Sequence, residues 1–250
     1  MNVISFSLFI GTPRYSACYC KFAPGALLST RALYPDWEIR VYHDGNIPHS
    51  VKAIATLIDA KLFDLGSLDS FGKKCLWRLI PLFGLTDGVL LCRDIDSIAL
   101  PKERFAVEQF LNLHGSCHNI VDHVEHNIEL MGGLCGIDTK EFRIAFPTLT
   151  FDTIPHIFFD YVNPGSDQSF LCKVVYPKLK FNAVEHRLVG TNKFNTPHII
   201  KTIDYSLNIK CLVPADKLTY ADSFAKHCGQ IGFNVPDVMS FYHQYFPPLY

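Results

Sequence analysis

Apolar positions change their spacing along this chain in a regular way. Val3–Ile10 is a run of β-favouring residues that stops at Gly11 and predicts a first buried strand. A helical stretch follows, with Pro24 suited to its first turn and Leu33 near its end. Tyr34-Pro35-Asp36 breaks it, and Trp37–Tyr42 reads as a second strand closed by His43-Asp44-Gly45. Pro48–Ile58 carries Val51, Ile54, Leu57 and Ile58 at helical spacing. Lys61–Leu65 is a short third strand and Lys73–Phe83 a helix. Gly88–Cys92 is apolar without a break, as expected of a central strand buried on both faces. A helix over Lys102–Leu113 comes next, then a His-rich strand and loop over Ser116–His126. Met131–Ile137 and a helix over Asp167–Tyr176 follow, the latter opened by Gly165-Ser166.

Alternating β and α elements imply an α/β fold, Rossmann-like, with an open and mostly parallel sheet flanked by helices. Ligands of such sheets sit at the carboxyl ends of the strands. From about Leu188 the alternation weakens, and Pro, Tyr and Phe crowd the last thirty residues. The reading is therefore one domain over 1–190 and an irregular C-terminal appendage over 191–250 packed on it.

Composition narrows the partners. With 48% hydrophobic and 19% charged residues the chain has a dense core and is not disordered. A net charge of -1 argues against a nucleic-acid partner or an anionic membrane, so any anionic ligand is met locally. No apolar run reaches the roughly 20 residues of a membrane span. The apolar N-terminus has no basic leader and is read as a strand rather than a signal peptide. Nine cysteines without a CxxC pair are expected to be reduced, mostly buried thiols, which fits a cytoplasmic protein.

Asp94-Ile95-Asp96 is the sharpest chemical signal. Carboxylates at i and i+2 of an extended segment project to one side, and this segment leaves the most apolar strand. Two such groups repel unless a cation lies between them. Mn²⁺ or Mg²⁺, completed by substrate phosphates, would resolve the conflict. Lys73 and Arg78 precede that strand as either solvated helix charges or cations reaching a phosphate. The cluster His114, Cys117, His118, Asp122, His123 and His126 lacks paired ligand spacing, so zinc is not favoured. Gly132-Gly133 reads as a tight strand entry. Asp167 reads as a first-turn acid or as a general base.

Several stretches in order resemble a GT-A-type, nucleotide-sugar-dependent glycosyltransferase with an Asp-x-Asp motif, closest to a group in bacteria, algae and large DNA viruses. They are Ile4–Leu8, Tyr34–Asp44, Trp77-Arg78, Arg93–Ser97, Lys102-Glu103 with Ala106-Val107, Asp122-His123 with His126, Gly132-Gly133 and Ser166–Gln168. Ile98 and Val121 stand where the resemblance implies arginine. The resemblance implies a single GT-A-like domain moving a sugar from a nucleotide-sugar donor (a UDP- or GDP-sugar) to a glycan or glycoprotein acceptor. For a viral member the location would be the host cytoplasm. It implies Asp94 at the ribose or the metal and Asp96 at the metal bridging the donor diphosphate, with Ile95 between them and His186 as a third metal ligand. Ser7, Leu8, Phe9 and Tyr15 would line the nucleobase pocket, and Lys73 or Arg78 would meet phosphate. Asp122 and Asp167 would act at the reacting sugar, and His123, Gly132, Gly133 and Gln168 would contact it.

The alternative is a degenerate protein that binds nucleotide sugar or carbohydrate without turnover. A dinucleotide dehydrogenase is excluded by the lack of a Gly-rich turn in Leu8–Arg14. An aspartyl-phosphate phosphatase would carry its Asp-x-Asp after the first strand, not the fourth.

Overall fold

The computed structural model describes residues 1–9, 13–121, 128–158, 165–187 and 201–204, with backbone alone for 13–18, 187 and 201–204. Its centre is an eight-stranded sheet: β1 (Val3–Leu8), β2 (Glu38–His43), β3 (Lys61–Asp64), β4 (Val89–Arg93), β5 (Cys117–Val121), β6 (Leu134–Asp138), β7 (Ala183–Arg187) and β8 (Lys201–Asp204). The order across the sheet is β3-β2-β1-β4-β6-β5-β7-β8. All neighbours are parallel except the two pairs made by β6, which runs against β4 and β5. The open, mostly parallel α/β sheet expected from the alternation is the observed fold.

Strand residues of period two divide between two cores. Ile4, Phe6, Leu8 and Leu91 face α1 (Pro13–Leu33), α2 (His49–Leu57) and the helix Pro101–Asn112. Val3, Leu90 and Cys92 face Leu76–Leu85 and the helical segments after Thr139 and Ser166. Each fully buried Leu or Val side chain contributes roughly 1.5–3 kcal/mol. That double coverage is why β4 reads as an unbroken apolar run.

Four expectations need correction. The first helix begins at Pro13, and Pro24 lies inside it, where it removes one rung of the ladder. The helix expected over Lys73–Phe83 is α3 (Phe71–Leu76), a 3-10 turn (Trp77–Leu79) and a new turn opened by Pro81. Pro81 has no N–H for a continuous ladder. His186 lies within strand β7 rather than beyond it. Lys201–Asp204, assigned to the appendage, extends the sheet as its last strand; the rest of 191–250 lies outside the described residues.

No helix among the described residues is long and apolar enough to cross a membrane. Cys20, Cys75, Cys92, Cys117, Cys135 and Cys172 are free thiols.

Candidate functional site

The chain leaves β4 in a turn closed by Ser97 N–H donating to the Asp94 carbonyl at 3.2 Å. A turn thus stands where an extended segment was expected: Ile95 is buried in the core, while Asp94 and Asp96 keep part of their side chains exposed. Asp94 keeps 42% of its side chain exposed, while Asp96 is half-buried. Burial, then the neighbouring Asp94 charge, pushes the Asp96 carboxyl up to about 6, against the pull of Arg78 and a hydrogen bond with Ser97.

Arg78, on the 3-10 turn after α3, is the hub. Its Nη1 donates to Asp94 Oδ1 at 2.6 Å and to the Gly132 carbonyl at 3.0 Å. Its Nε lies 3.4 Å from Asp167 Oδ2. Burial alone would favour its neutral form, but Asp94 and Asp167 hold the guanidinium charged. Asp167 is buried in the first turn of the helix Ser166–Phe170; burial raises its carboxyl, Arg78 opposes and Asp94 adds. Among the described residues Asp94, Asp96 and Asp167 thus face one cation, Arg78, and ionised together these four groups carry an excess of two negative charges. A divalent cation has the charge to balance it.

The entry to β6 approaches this cluster closely. A Cβ on Gly133 would fall 2.0 Å from Asp94 Oδ2, and one on Gly132 would fall 2.8 Å from Asp167 Oδ2. Gln168 holds the entry in place: Gly132 N–H donates to its Oε1 at 2.8 Å, and its Nε2 donates to the Leu130 carbonyl and reaches Cys172 Sγ at 3.0 Å. A π-turn, Leu171–Val175, follows in the same helical segment. Such bulges recur at functional sites.

The other end of the crevice lies at the exits of β1 and β2. Phe9 is buried edge-on against Tyr19, Phe71 and Trp77. Lys74 Nζ sits over the Phe9 and Trp77 rings and 3.3 Å from Asp44 Oδ2, with 9% and 2% of the two side chains exposed. Tyr19, on α1, senses both Asp94 and Asp96; burial first and those charges next hold its hydroxyl protonated. Ser7 spends its hydroxyl inside the protein, accepting from Arg78 N–H at 2.9 Å and facing the Cys75 carbonyl at 3.4 Å. Leu8 is buried core.

Of the two adjacent lysines it is Lys74, rather than the expected Lys73, that faces the Phe9 and Trp77 rings. Lys73 points to the surface and pairs with Asp69 Oδ1 at 2.8 Å, one turn away. Lys74 precedes Arg78 by four residues, a helical spacing that could have selected it. Asp44 was visible only as turn chemistry, and Tyr19 lay upstream of the expected helix start.

His186 is not beside the carboxylates. It is fully buried, its Nδ1 2.7 Å from His118 Nε2 and its Nε2 3.0 Å from Gln109 Oε1. It stands level with Ile120, and β5 and β6 separate β7 from β4, three strand spacings or roughly 14 Å. Asp122, His123 and His126 lie outside the described residues, as does the side chain of Tyr15. Ile98 and Val121 are buried apolar side chains and bring no cation. Among the described residues no group of three or more His, Cys, Asp or Glu could hold a metal ion. A cation at Asp94 and Asp96 would depend on ligand oxygens for the rest of its shell.

No protein-family model matches the chain. No curated protein matches it either. Among solved structures, the chain is similar to a cytidylyltransferase from Leptospira borgpetersenii serovar Hardjo-bovis, with 13% identity and a TM-score of 0.45 over 100% of this chain and 98% of that one. It is similar to the galactosyltransferase LgtC in complex with donor and acceptor sugar analogues, with 13% identity and a TM-score of 0.44 over 81% and 84% of the two chains. A third is a putative nucleotide-diphospho-sugar transferase from Desulfovibrio desulfuricans G20, with 12% identity and a TM-score of 0.41 over 98% and 97%.

Proposed function

We propose that the protein is a metal-dependent glycosyltransferase that takes a sugar from a nucleotide-sugar donor to a glycan or protein-linked acceptor. One observation carries the reading: Asp94, Asp96 and Asp167 converge on Arg78 at the exit of the buried strand β4, with Gly132-Gly133 pressed against two of the three. This is a carboxylate cluster at the carboxyl end of a strand, where α/β sheets bind ligands. Asp94 and Asp96 would hold Mn²⁺ or Mg²⁺. When bound, the ion supplies charge neutralisation for the departing nucleoside diphosphate.

The chain's own groups do the rest. Arg78 orients Asp94 and Asp167 and offers further positive charge to a phosphate or a sugar oxygen. Asp167, raised by burial, accepts a hydroxyl hydrogen near the reacting carbon. The glycine pair lets donor sugar approach the β6 backbone. Phe9 and Trp77, with the Lys74–Asp44 pair, form the end where the base is received.

The test is calorimetry of nucleoside diphosphates with manganese, together with release of nucleoside diphosphate from nucleotide sugars. Cation and proton compete for Asp96, so affinity should fall as pH drops through about 6, and Asp96→Asn should abolish turnover with the fold intact. Full activity in Asp96→Asn refutes the metal role. Tight binding with no turnover in any acceptor mixture would select the non-catalytic alternative.

A further inference from the structure

The turn that carries Asp94 and Asp96 is gripped from behind by a buried ion pair that no step above uses. Side chains alternate along β4, so Arg93 points away from Arg78 and Asp167, toward α1 and the helix Pro101–Asn112. Its surroundings there are the apolar core of Leu91, Ile95, Ile98 and Val107. Arg93 is 1% exposed and Glu103 3%. Arg93 Nη1 pairs with Glu103 Oε2. Arg93 Nη2 donates to the Ser97 carbonyl at 3.3 Å and the Ile98 carbonyl at 3.0 Å. Tyr34 OH donates to Glu103 Oε1 at 3.2 Å. A second tether lies beside it, Ala99 N–H donating to Ser29 Oγ at 2.9 Å.

Stability does not account for this pair. Desolvating two charges offsets their attraction, and apolar replacements of a buried pair are often neutral or stabilising. What the pair does accomplish is geometric. A planar fork fixed by one carboxylate holds two consecutive carbonyls at the far end of the Asp94–Ser97 turn. We propose that Arg93, held by Glu103, is a positioning residue that sets the geometry of Asp94 and Asp96 for a metal-bound diphosphate, without touching either. The ligand half of this statement rests on the proposed function; the grip on the turn does not.

The decisive variant is Arg93→Met with Glu103→Leu, which removes both charges and keeps apolar volume. It should melt no lower than the wild type. Amide exchange over residues 94–100 should nonetheless quicken about tenfold relative to β4. Affinity for nucleoside diphosphate with manganese should fall roughly 10–100-fold, the range seen when groups behind metal ligands are removed. Arg93→Lys should not restore it, because one ammonium cannot span two carbonyls and a carboxylate. Wild-type exchange and affinity in the folded double variant overturn the inference. If that variant does not fold, Glu103→Gln carries the same comparison, and unchanged exchange over 94–100 is again fatal. If the wild type binds no nucleoside diphosphate with manganese, the proposed function fails, while the exchange comparison still decides whether Arg93 positions the turn.

Discussion

Replacing Gly133 with alanine separates fold from site more sharply than any charge removal. A methyl there falls 2.0 Å from Asp94 Oδ2, 2.3 Å from its Cγ and 2.8 Å from Oδ1, whereas real Cβ contacts begin near 3.0 Å. The Asp94 carboxylate must therefore retreat by about 1.0 Å or more. It can do so by rotating its short side chain, leaving β4 in place. The fold loses an ion pair whose acid is 42% exposed, a loss of about 1 kcal/mol or less once solvent screening is counted. Gly133 is not among the glycines with positive φ, so alanine returns about 0.4–1 kcal/mol by restricting the unfolded chain. These terms nearly cancel, and Tm should move by no more than about 4 °C in a chain of this size. Misplacing a binding group by that distance, in contrast, costs roughly 100-fold in turnover. Differential scanning fluorimetry and manganese-dependent release of nucleoside diphosphate measure the two effects. Gly84→Ala is the control, since a Cβ there meets nothing within 4 Å. A Gly133→Ala protein with wild-type turnover would show that the close approach to Asp94 has no chemical meaning.

The two adjacent lysines should behave oppositely: Lys73→Ala, which breaks a partly exposed pair, should change stability by less than about 1 kcal/mol, whereas Lys74→Met leaves Asp44 buried without its cation and should lose about 3–5 kcal/mol in urea unfolding. Wild-type stability in Lys74→Met would mean the pair is solvated. The His118–His186 contact makes a pH prediction. Burial holds both neutral, His118 well below its usual range and His186 down to about 3. Unfolded, each takes up a proton below about 6.5, so their contribution is complete above that pH and is lost as pH falls toward 3. Asp96, raised to about 6, and Asp167, also raised by burial, work the other way, while His43, lowered by burial, titrates in the same sense as the pair. Urea midpoints should drop from pH 7.5 to pH 5.5, and His118→Phe should flatten the slope; an equal slope in that variant rules out the pair as its source.

Much of this arrangement was legible in the chain. An apolar run buried on both faces can only be a central strand, and charges that follow it at once must emerge at its carboxyl end. Ligation was not legible for His186, because a histidine in a strand bears no mark of which face or which neighbour it meets. The two lysines differ by one residue, or 100° of helix, and the break at Pro81 had to be recognised before that angle meant anything. Arg93 and Glu103 sit ten residues apart with a turn between them, so no periodic signal joins them. Tyr19 was hidden by Pro24, which reads as a helix start although Pro13 holds that place.

The direction of β6 left no trace in the sequence, because an alternation of two looks the same read either way, yet the site depends on it. In a wholly parallel sheet the carboxyl end of one strand neighbours the carboxyl end of the next, and strand entries lie at the opposite edge. Reversing β6 brings a strand entry to the edge where β4 ends: Arg93 pairs with Leu134, so Asp94 leaves the sheet where Gly133 joins it. The carboxylates of an exit thereby meet the bare backbone of an entry. Only residues without side chains fit there, since a Cβ at either position would fall inside a carboxylate's contact distance. Gln168 then fixes the entry from the helix behind it, and Arg78 closes the circuit through the Gly132 carbonyl, Asp94 and Asp167. The glycine pair and the Asp-x-Asp segment, nearly forty residues apart in sequence, are two sides of one crevice because a single strand runs backwards.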